Sequence, residues 1–218
     1  MTEILLYGTI GWEVTAAQIA REVSEADAGE PITLRINSGG GDVMEGLAIL
    51  SSLARHPDGF RVEIDGIAAS MAAIIAMQAT HRTMPADGWL MFHRISAGAS
   101  GTAPELIELA ERMERMEENM VSFLSRTLGK SAEEILSMLN ESIWLNGEDA
   151  LAAGMVDELT PAAAIAAYLG VEGEAFDPRG APAEALTFLD KRPPKNTRDT
   201  KGRINDENSK VIFFYGGQ

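Results

Sequence analysis

A serine and a histidine, each at the end of an apolar run, are the side chains of this sequence best suited to nucleophilic chemistry. Ser70 lies in Gly66-Ile67-Ala68-Ala69-Ser70-Met71-Ala72-Ala73, after the strand-like Arg61-Val62-Glu63-Ile64 and before a helix-like apolar stretch. A strand that breaks into a helix at a small-residue turn exposes the serine oxygen where unpaired backbone N–H groups favour developing negative charge. His93 closes the run Gly88-Trp89-Leu90-Met91-Phe92, from which a ring nitrogen can turn toward the neighbouring strand end. A glycine turn, Gly39-Gly40-Gly41, precedes both and offers amides to an anion. One compact region thus carries a nucleophile, a base and an anion cradle.

Each feature also has a plainer reading. Serine before an apolar helix is commonly an N-cap. Here Gly66, Ala68, Ala69, Ala72 and Ala73 leave room for a substrate backbone, and the Met71 N–H, next after the serine, becomes one oxyanion donor. The glycines are not a phosphate loop, because Asp42-Val43-Met44-Glu45 follows and its carboxylates repel phosphate. A peptide carbonyl turning into an oxyanion suits them better, with Gly40 as second donor; a ligand-free strand-to-helix turn is the alternative. His56, before Pro57, and His81, beside Arg82, read as surface residues, and no cluster at metal spacing accompanies His93, so no metal site is expected.

The elements that must position these groups alternate. Apolar runs predict strands over 4–7, 32–36, 60–64 and 89–92, with helices over 15–25, 43–54 and 70–79 between them. Such a βαβαβαβ order with short connections argues for a mainly parallel sheet covered by helices on both sides. Thr102 and Glu105 form a capping-box pattern before a helix of about 25 residues, whose Leu106, Leu109, Met113, Met116, Met120 and Phe123 make one narrow apolar seam. Its other faces carry Glu105, Glu108, Glu111, Arg112, Glu114, Arg115, Glu117 and Glu118, so it either packs on its own domain or takes a partner helix. A helix over 132–140, a strand over 143–145, a helix over 147–153 and a last short strand over 155–156 complete the pattern.

Composition sets outer limits. The chain has 218 residues and 45% hydrophobic content, enough for one globular domain, expected over 1–170. Net charge is -15, and residues 171 onward hold eight acidic and eight basic groups, so the excess lies wholly before them. That acidic surface repels phosphate backbones, and nucleic acid is not an expected partner. There is no cysteine, which fits a reducing cytoplasm. The amino terminus lacks a basic stretch and long apolar segment, and the longest uncharged apolar run, 67–79, is too short for a bilayer, so no membrane association is expected. From 171 to 218 periodicity fades into a mobile tail, although Val211-Ile212-Phe213-Phe214-Tyr215 is a strong β-former able to join a sheet edge.

Several segments together resemble the Clp protease proteolytic subunit family. Asn37-Ser38-Gly39-Gly40-Gly41-Asp42 is similar to its Asn-Ser-Pro-Gly-Gly turn, Gly66-Ile67-Ala68-Ala69-Ser70-Met71-Ala72 to its Gly-x-Ala-Ala-Ser-Met-Gly motif, and Met91-Phe92-His93 to its Met-Ile-His motif. Trp144-Leu145-Asn146-Gly147-Glu148-Asp149-Ala150 and Gly154-Met155-Val156-Asp157 resemble its closing segment, so the likeness spans about 4–160 in order. It implies an α/β Clp/crotonase-like fold with stacked ββα-type units and a protruding handle helix over 102–128. It also implies a serine endopeptidase needing no cofactor, with Ser70 as nucleophile, His93 as base and the Gly40 and Met71 N–H groups as oxyanion hole. Polypeptides would be the substrates and stacked homo-oligomeric rings the assembly.

Three departures qualify the likeness. The third triad position, an aspartate in the family, is Ser142, with Glu141 beside it as a possible substitute. Gly39 replaces the proline of the oxyanion turn, and the chain begins at the first core strand, without the segment that engages an ATP-driven unfoldase; that partner is therefore in doubt. Phage-encoded relatives that trim capsid and scaffold precursors during head maturation look similar. Two alternatives remain: a non-catalytic assembly subunit that kept the fold, and a crotonase-type acyl-CoA enzyme.

Overall fold

A computed structural model describes residues 2–161. The 170/171 boundary, the tail and the 211–215 run lie outside the described residues. In chain order the elements are β1 (Glu3–Ile10), α1 (Ala16–Glu25), β2 (Ile32–Gly41), α2 (Val43–Leu53), β3 (Phe60–Ala69), α3 (Met71–Met77), β4 (Arg82–Pro85), β5 (Trp89–Met91), α4 (Ala103–Leu128), α5 (Ala132–Asn140), β6 (Trp144–Asn146), α6 (Gly147–Ala152) and β7 (Glu158–Thr160). The strands form one sheet ordered β1-β2-β3-β4-β7, with β5 also on β3 and β6 on β5. Every pairing is parallel except β5 with β6. Strand β3 is the hinge of this layout, because its first half pairs β4 through Val62↔Arg82 and its second half pairs β5 through Ile67↔Trp89.

Register explains the core. Ile4, Leu34 and Val62 stand side by side across β1, β2 and β3, as do Leu6, Ile36 and Ile64, and all six are buried. Full burial of each such side chain contributes about 1.5–3 kcal/mol. The intervening row Leu5, Arg35 and Glu63 faces the other way, with Leu5 exposed. The expected two-sided cover is therefore absent from this part of the sheet among the described residues. Strict alternation along β1 and the first half of β3 accounts for it, since a strand buried on both faces would not alternate.

Other expectations need correction. Strands β2 and β3 run past Ile36 and Ile64 to Gly41 and Ala69, so the glycines form strand rather than turn. Hydrophobic pattern ends early there because the later positions are small residues, which let strands approach closely while the register slips between Ile36 and Ser38. Strand β4 carries little hydrophobic signal in the sequence, because it is short and begins on Arg82-Thr83. The closing strand is Glu158–Thr160; Met155 and Val156 are buried in the turn before it. His56 is no surface residue: it is 6% exposed, and neither ring nitrogen has a hydrogen-bond partner among the described residues. Pro57 and the preceding helix end disguised a turn that folds inward. His81 is exposed, close to Asp157 and Glu158.

The long helix begins on the expected capping box of Thr102 and Glu105. Only Glu117, Val121 and Leu124 of its 26 residues are buried, and Leu106 and Ile107 near its start are exposed. Helix α4 thus packs on the sheet-and-helix body through its second half and leaves most of its first half exposed.

Candidate active site

Strand β3 delivers Ser70 directly into α3. At the junction Ser70 adopts φ 54° and ψ -124°, a region that L-residues avoid. Two backbone bonds hold it there: its N–H donates to Met91 O at 2.9 Å, and its own C=O accepts from Ile74 N–H at 3.2 Å. The serine side chain makes no capping bond to the helix, which removes the N-cap reading. Its Oγ lies 2.8 Å from His93 Nε2 instead.

His93 reaches that place because β5 pairs with the end of β3, Ala69 opposite Met91. Serine and histidine therefore leave adjacent parallel strands at the same level. With Nε2 as acceptor, the serine hydroxyl donates and the imidazole is set to take its proton.

Gly40 is pressed against Ser70. A Cβ there would sit 2.7 Å from both Ala69 O and Ser70 Cβ and 3.0 Å from Met71 N, at φ 99°. Only glycine permits this approach. The Gly40 N–H donates to Ser38 Oγ at 3.1 Å, and the Ser38 hydroxyl donates to Gly8 O at 2.6 Å. Use of the Gly40 amide on a substrate thus requires Ser38 to share or release it. Met71, first residue of α3, has an N–H with no intrahelical acceptor by position, so this donor is placed beside Ser70 without competition from the helix.

The third position is weaker. Ladder pairs Trp89↔Asn146, Leu90↔Leu145 and Met91↔Trp144, continued by the Phe92 N–H to Ile143 O bond, set Ser142 across from His93. Ser142 has φ 50° and ends α5 with its N–H on Leu139 O. No hydrogen bond joins its hydroxyl to His93 among the described residues. Glu141 is exposed and its carboxylate accepts from Ser137 Oγ at 3.1 Å. The next charged pair is one that sequence patterning missed: Arg94 donates from Nε to both carboxylate oxygens of Glu117 at 2.9 and 3.0 Å. Glu117 had counted as an outer-face residue of α4; its place one turn before buried Val121 was the available signal.

Among the described residues no group of acidic, histidine or cysteine side chains could hold a metal, and no helix is long and apolar enough to cross a membrane.

Fold and pair together define an α/β protein suited to acyl-transfer chemistry at a serine. The Clp protease family model matches residues 1–162, and the chain belongs to that family, a family of peptidases. It is 34% identical over 164 residues to the "ATP-dependent Clp protease proteolytic subunit 3" of Rhodococcus jostii, covering 72% of this chain and 79% of that protein. It is 31% identical over 161 residues to the corresponding "subunit 1" of Streptomyces avermitilis, covering 72% and 74%. To "subunit 2" of Thermobifida fusca it is 30% identical over 139 residues, covering 63% and 68%.

Proposed function

We propose that this protein is a serine endopeptidase that cleaves polypeptides through an acyl-enzyme on Ser70. The single observation that carries the reading is the 2.8 Å contact between Ser70 Oγ and His93 Nε2 on a strained strand-to-helix elbow. Ser70 Oγ adds to the scissile carbonyl as its proton passes to His93 Nε2. The N–H groups of Met71 and, once Ser38 yields, Gly40 stabilise the oxyanion. Collapse breaks the C–N bond, and the proton moves from His93 to the leaving amine. Water, deprotonated by the same nitrogen, then releases the acyl group and restores Ser70. The chemistry calls for no cofactor. Ser142 is the residue best placed by register to orient His93, through its hydroxyl; it cannot stabilise imidazolium as a carboxylate does.

Polypeptide substrates and a stacked-ring homo-oligomer go with this reading. The exposed first half of α4, with Leu106 and Ile107 uncovered, supports the helix as the ring-to-ring contact. The names of the relatives couple those proteins to ATP; the proposed chemistry at Ser70 itself needs no unfoldase. Processing of capsid or scaffold precursors is a finer substrate class that rests on sequence likeness, and incubation with such precursors checks it by cleavage-site mass analysis. The rival is a non-catalytic assembly subunit, favoured only by the absence of a carboxylate at Ser142.

Labelling with a fluorophosphonate probe separates the two. The assembled wild type should label on one serine, while Ser70→Ala should not label and His93→Ala should label far more slowly. Wild type that stays unlabelled in a verified oligomer would rule out the hydrolase.

A further inference from the structure

Along 89–92 and 144–145 the side chains alternate between two clusters. Leu90, Phe92 and Leu145 turn into the main core, whereas Trp89, Met91 and Trp144 belong to a second, smaller cluster with Ile67 and Ala69 of β3. No helix contributes to that second cluster among the described residues. Ile67, Ala69 and Met91 are buried in it, and the two tryptophans are half-buried beside them, edge to face with ring centroids 6.2 Å apart. The pairs Met91↔Trp144 and Trp89↔Asn146 put both indoles close below His93, and period-two alternation brings His93 onto the same face. In a chain of net charge -15, the rungs that join the ends of β3, β5 and β6 carry no charged side chain. Partly exposed tryptophans beside a reacting pair are suited to take up an apolar side chain, since each ring offers a large, rigid surface.

We propose that Trp89 and Trp144 form the subsite for an apolar side chain, aromatic above all, on the leaving side of the scissile bond. This inference rests on the serine peptidase reading. At a serine centre the base hands its proton to the leaving amine, so that half of the substrate lies on the histidine's side of the serine oxygen. Here Ser70 ends β3, His93 follows β5, and β6 lies beyond β5. The step from Ser70 to His93 therefore points on toward β6, and the leaving peptide passes over the rung of Met91 and Trp144. That rung is two residues back from His93, about 6–7 Å along the strand. An extended substrate advances about 3.3 Å per residue, so its first or second leaving residue reaches the indoles. An aromatic ring there packs on the open side of the pair, while a hydroxyl or carboxylate loses water over Ile67, Ala69 and Met91 without gaining a partner.

Internally quenched peptides with one fixed acyl half, and Phe, Leu, Ser or Asp at the first or second leaving position, provide the test with the full-length assembled protein. Wild type should show kcat/KM at least about tenfold higher for Phe than for Ser at one of the two positions. Trp144→Ala and Trp89→Ala should erase most of that ratio, and Trp144→Phe should keep it. Fluorophosphonate labelling of Ser70 expels only fluoride and places nothing on the leaving side. Its rate per folded site should therefore stay within about twofold of wild type in all three variants. A merely structural role would lower labelling and the cleavage of every peptide together, with a change in folded fraction or oligomer mass, and would overturn the proposal. So would a wild type indifferent to the leaving residue, a result that requires no variant to fold. Wild type that labels but shows no such preference refutes the subsite alone; wild type that neither labels nor cleaves refutes the peptidase reading and the subsite with it.

Discussion

The two halves of the dyad are held by different means. Ser70 is gripped by backbone: a bond to Met91 O, a bond from Ile74 N–H, and the Gly40 main chain against its Cβ. Behind it, β2 and β3 are ten-residue strands. His93 stands past a three-residue strand, and its neighbourhood is tied by side chains, through Ser70 Oγ and through Arg94 on Glu117. A site part made of main chain tolerates most side-chain changes but few at glycine. One made of side chains can be retuned by single substitutions.

The largest expected effect tests the backbone-built half. Ser70→Ala should abolish probe labelling and lower peptide cleavage by at least about a thousandfold, since the hydroxyl proposed to attack is gone. Mass and folding of the oligomer should be unaffected, which separates chemistry from structure. Gly40→Ala should come next, at about a hundredfold or more in kcat, because a Cβ would drive into Ala69 O and Ser70 Cβ at a φ that alanine avoids. Near-normal turnover in a folded Gly40→Ala variant would break the comparison, for it would mean that the elbow yields as easily as the base.

Legibility in the sequence follows the same division. Ser70 and Met71 could be read from the break between an apolar strand and an apolar helix, and His93 from the close of an apolar run, whereas Gly40 stood out only as part of a run of glycines; the structure brings all four close together. The long helix announced itself by its capping box and seam. What stayed hidden depends on tertiary contact. The continuation of β2 through three glycines has no hydrophobic signature, because pairing there relies on close approach instead of side-chain burial. Glu117 looks like any solvent-facing glutamate until Arg94 arrives from another element. His56 looks polar and exposed in its turn, yet the fold buries it. Ser142 was visible as a departure, but its left-handed backbone and its place opposite His93 came only with the ladder.

The side-chain-built half should respond to gain as well as loss. Ser142→Asp places a carboxylate at the register position across from His93, and aspartate accepts left-handed backbone more readily than most residues. A carboxylate on the imidazole fixes the tautomer and stabilises the cation formed in the first step, so kcat/KM should rise about tenfold. Glu141→Gln should leave kcat/KM unchanged, because that carboxylate is engaged by Ser137. A drop on Glu141→Gln with no gain on Ser142→Asp would transfer the orienting role to Glu141. Peptide hydrolysis measured per folded site distinguishes these outcomes.

The smallest effect concerns stability, and it should divide along the same line. On the β1–β3 side, burial and the 2.5 Å hydrogen bond to Asp65 push the Tyr7 hydroxyl from 10.0 up to about 12. A raised folded pKa favours the protonated form, so its contribution is intact below pH 10.0 and is lost as pH rises toward about 12. On the β4–β7 side, burial raises the Asp157 carboxyl, but hydrogen bonds from the Arg82 side chain and N–H outweigh it and hold it below the ordinary carboxylate range. That contribution is present above the unfolded value and disappears as pH falls through the lowered one. Hydrogen exchange should therefore show β1–β3 amides opening first on alkalinisation and β4–β7 amides first in acid. Tyr7→Phe should flatten the alkaline limb, and Asp157→Asn the acid one. In the alkaline range the loss should be about 1 kcal/mol, or roughly 2–4 °C in Tm, because the partly exposed hydroxyl is screened by solvent. Simultaneous opening of both regions at either extreme would show that the two halves unfold as one unit, and that their difference is confined to the residues around the dyad.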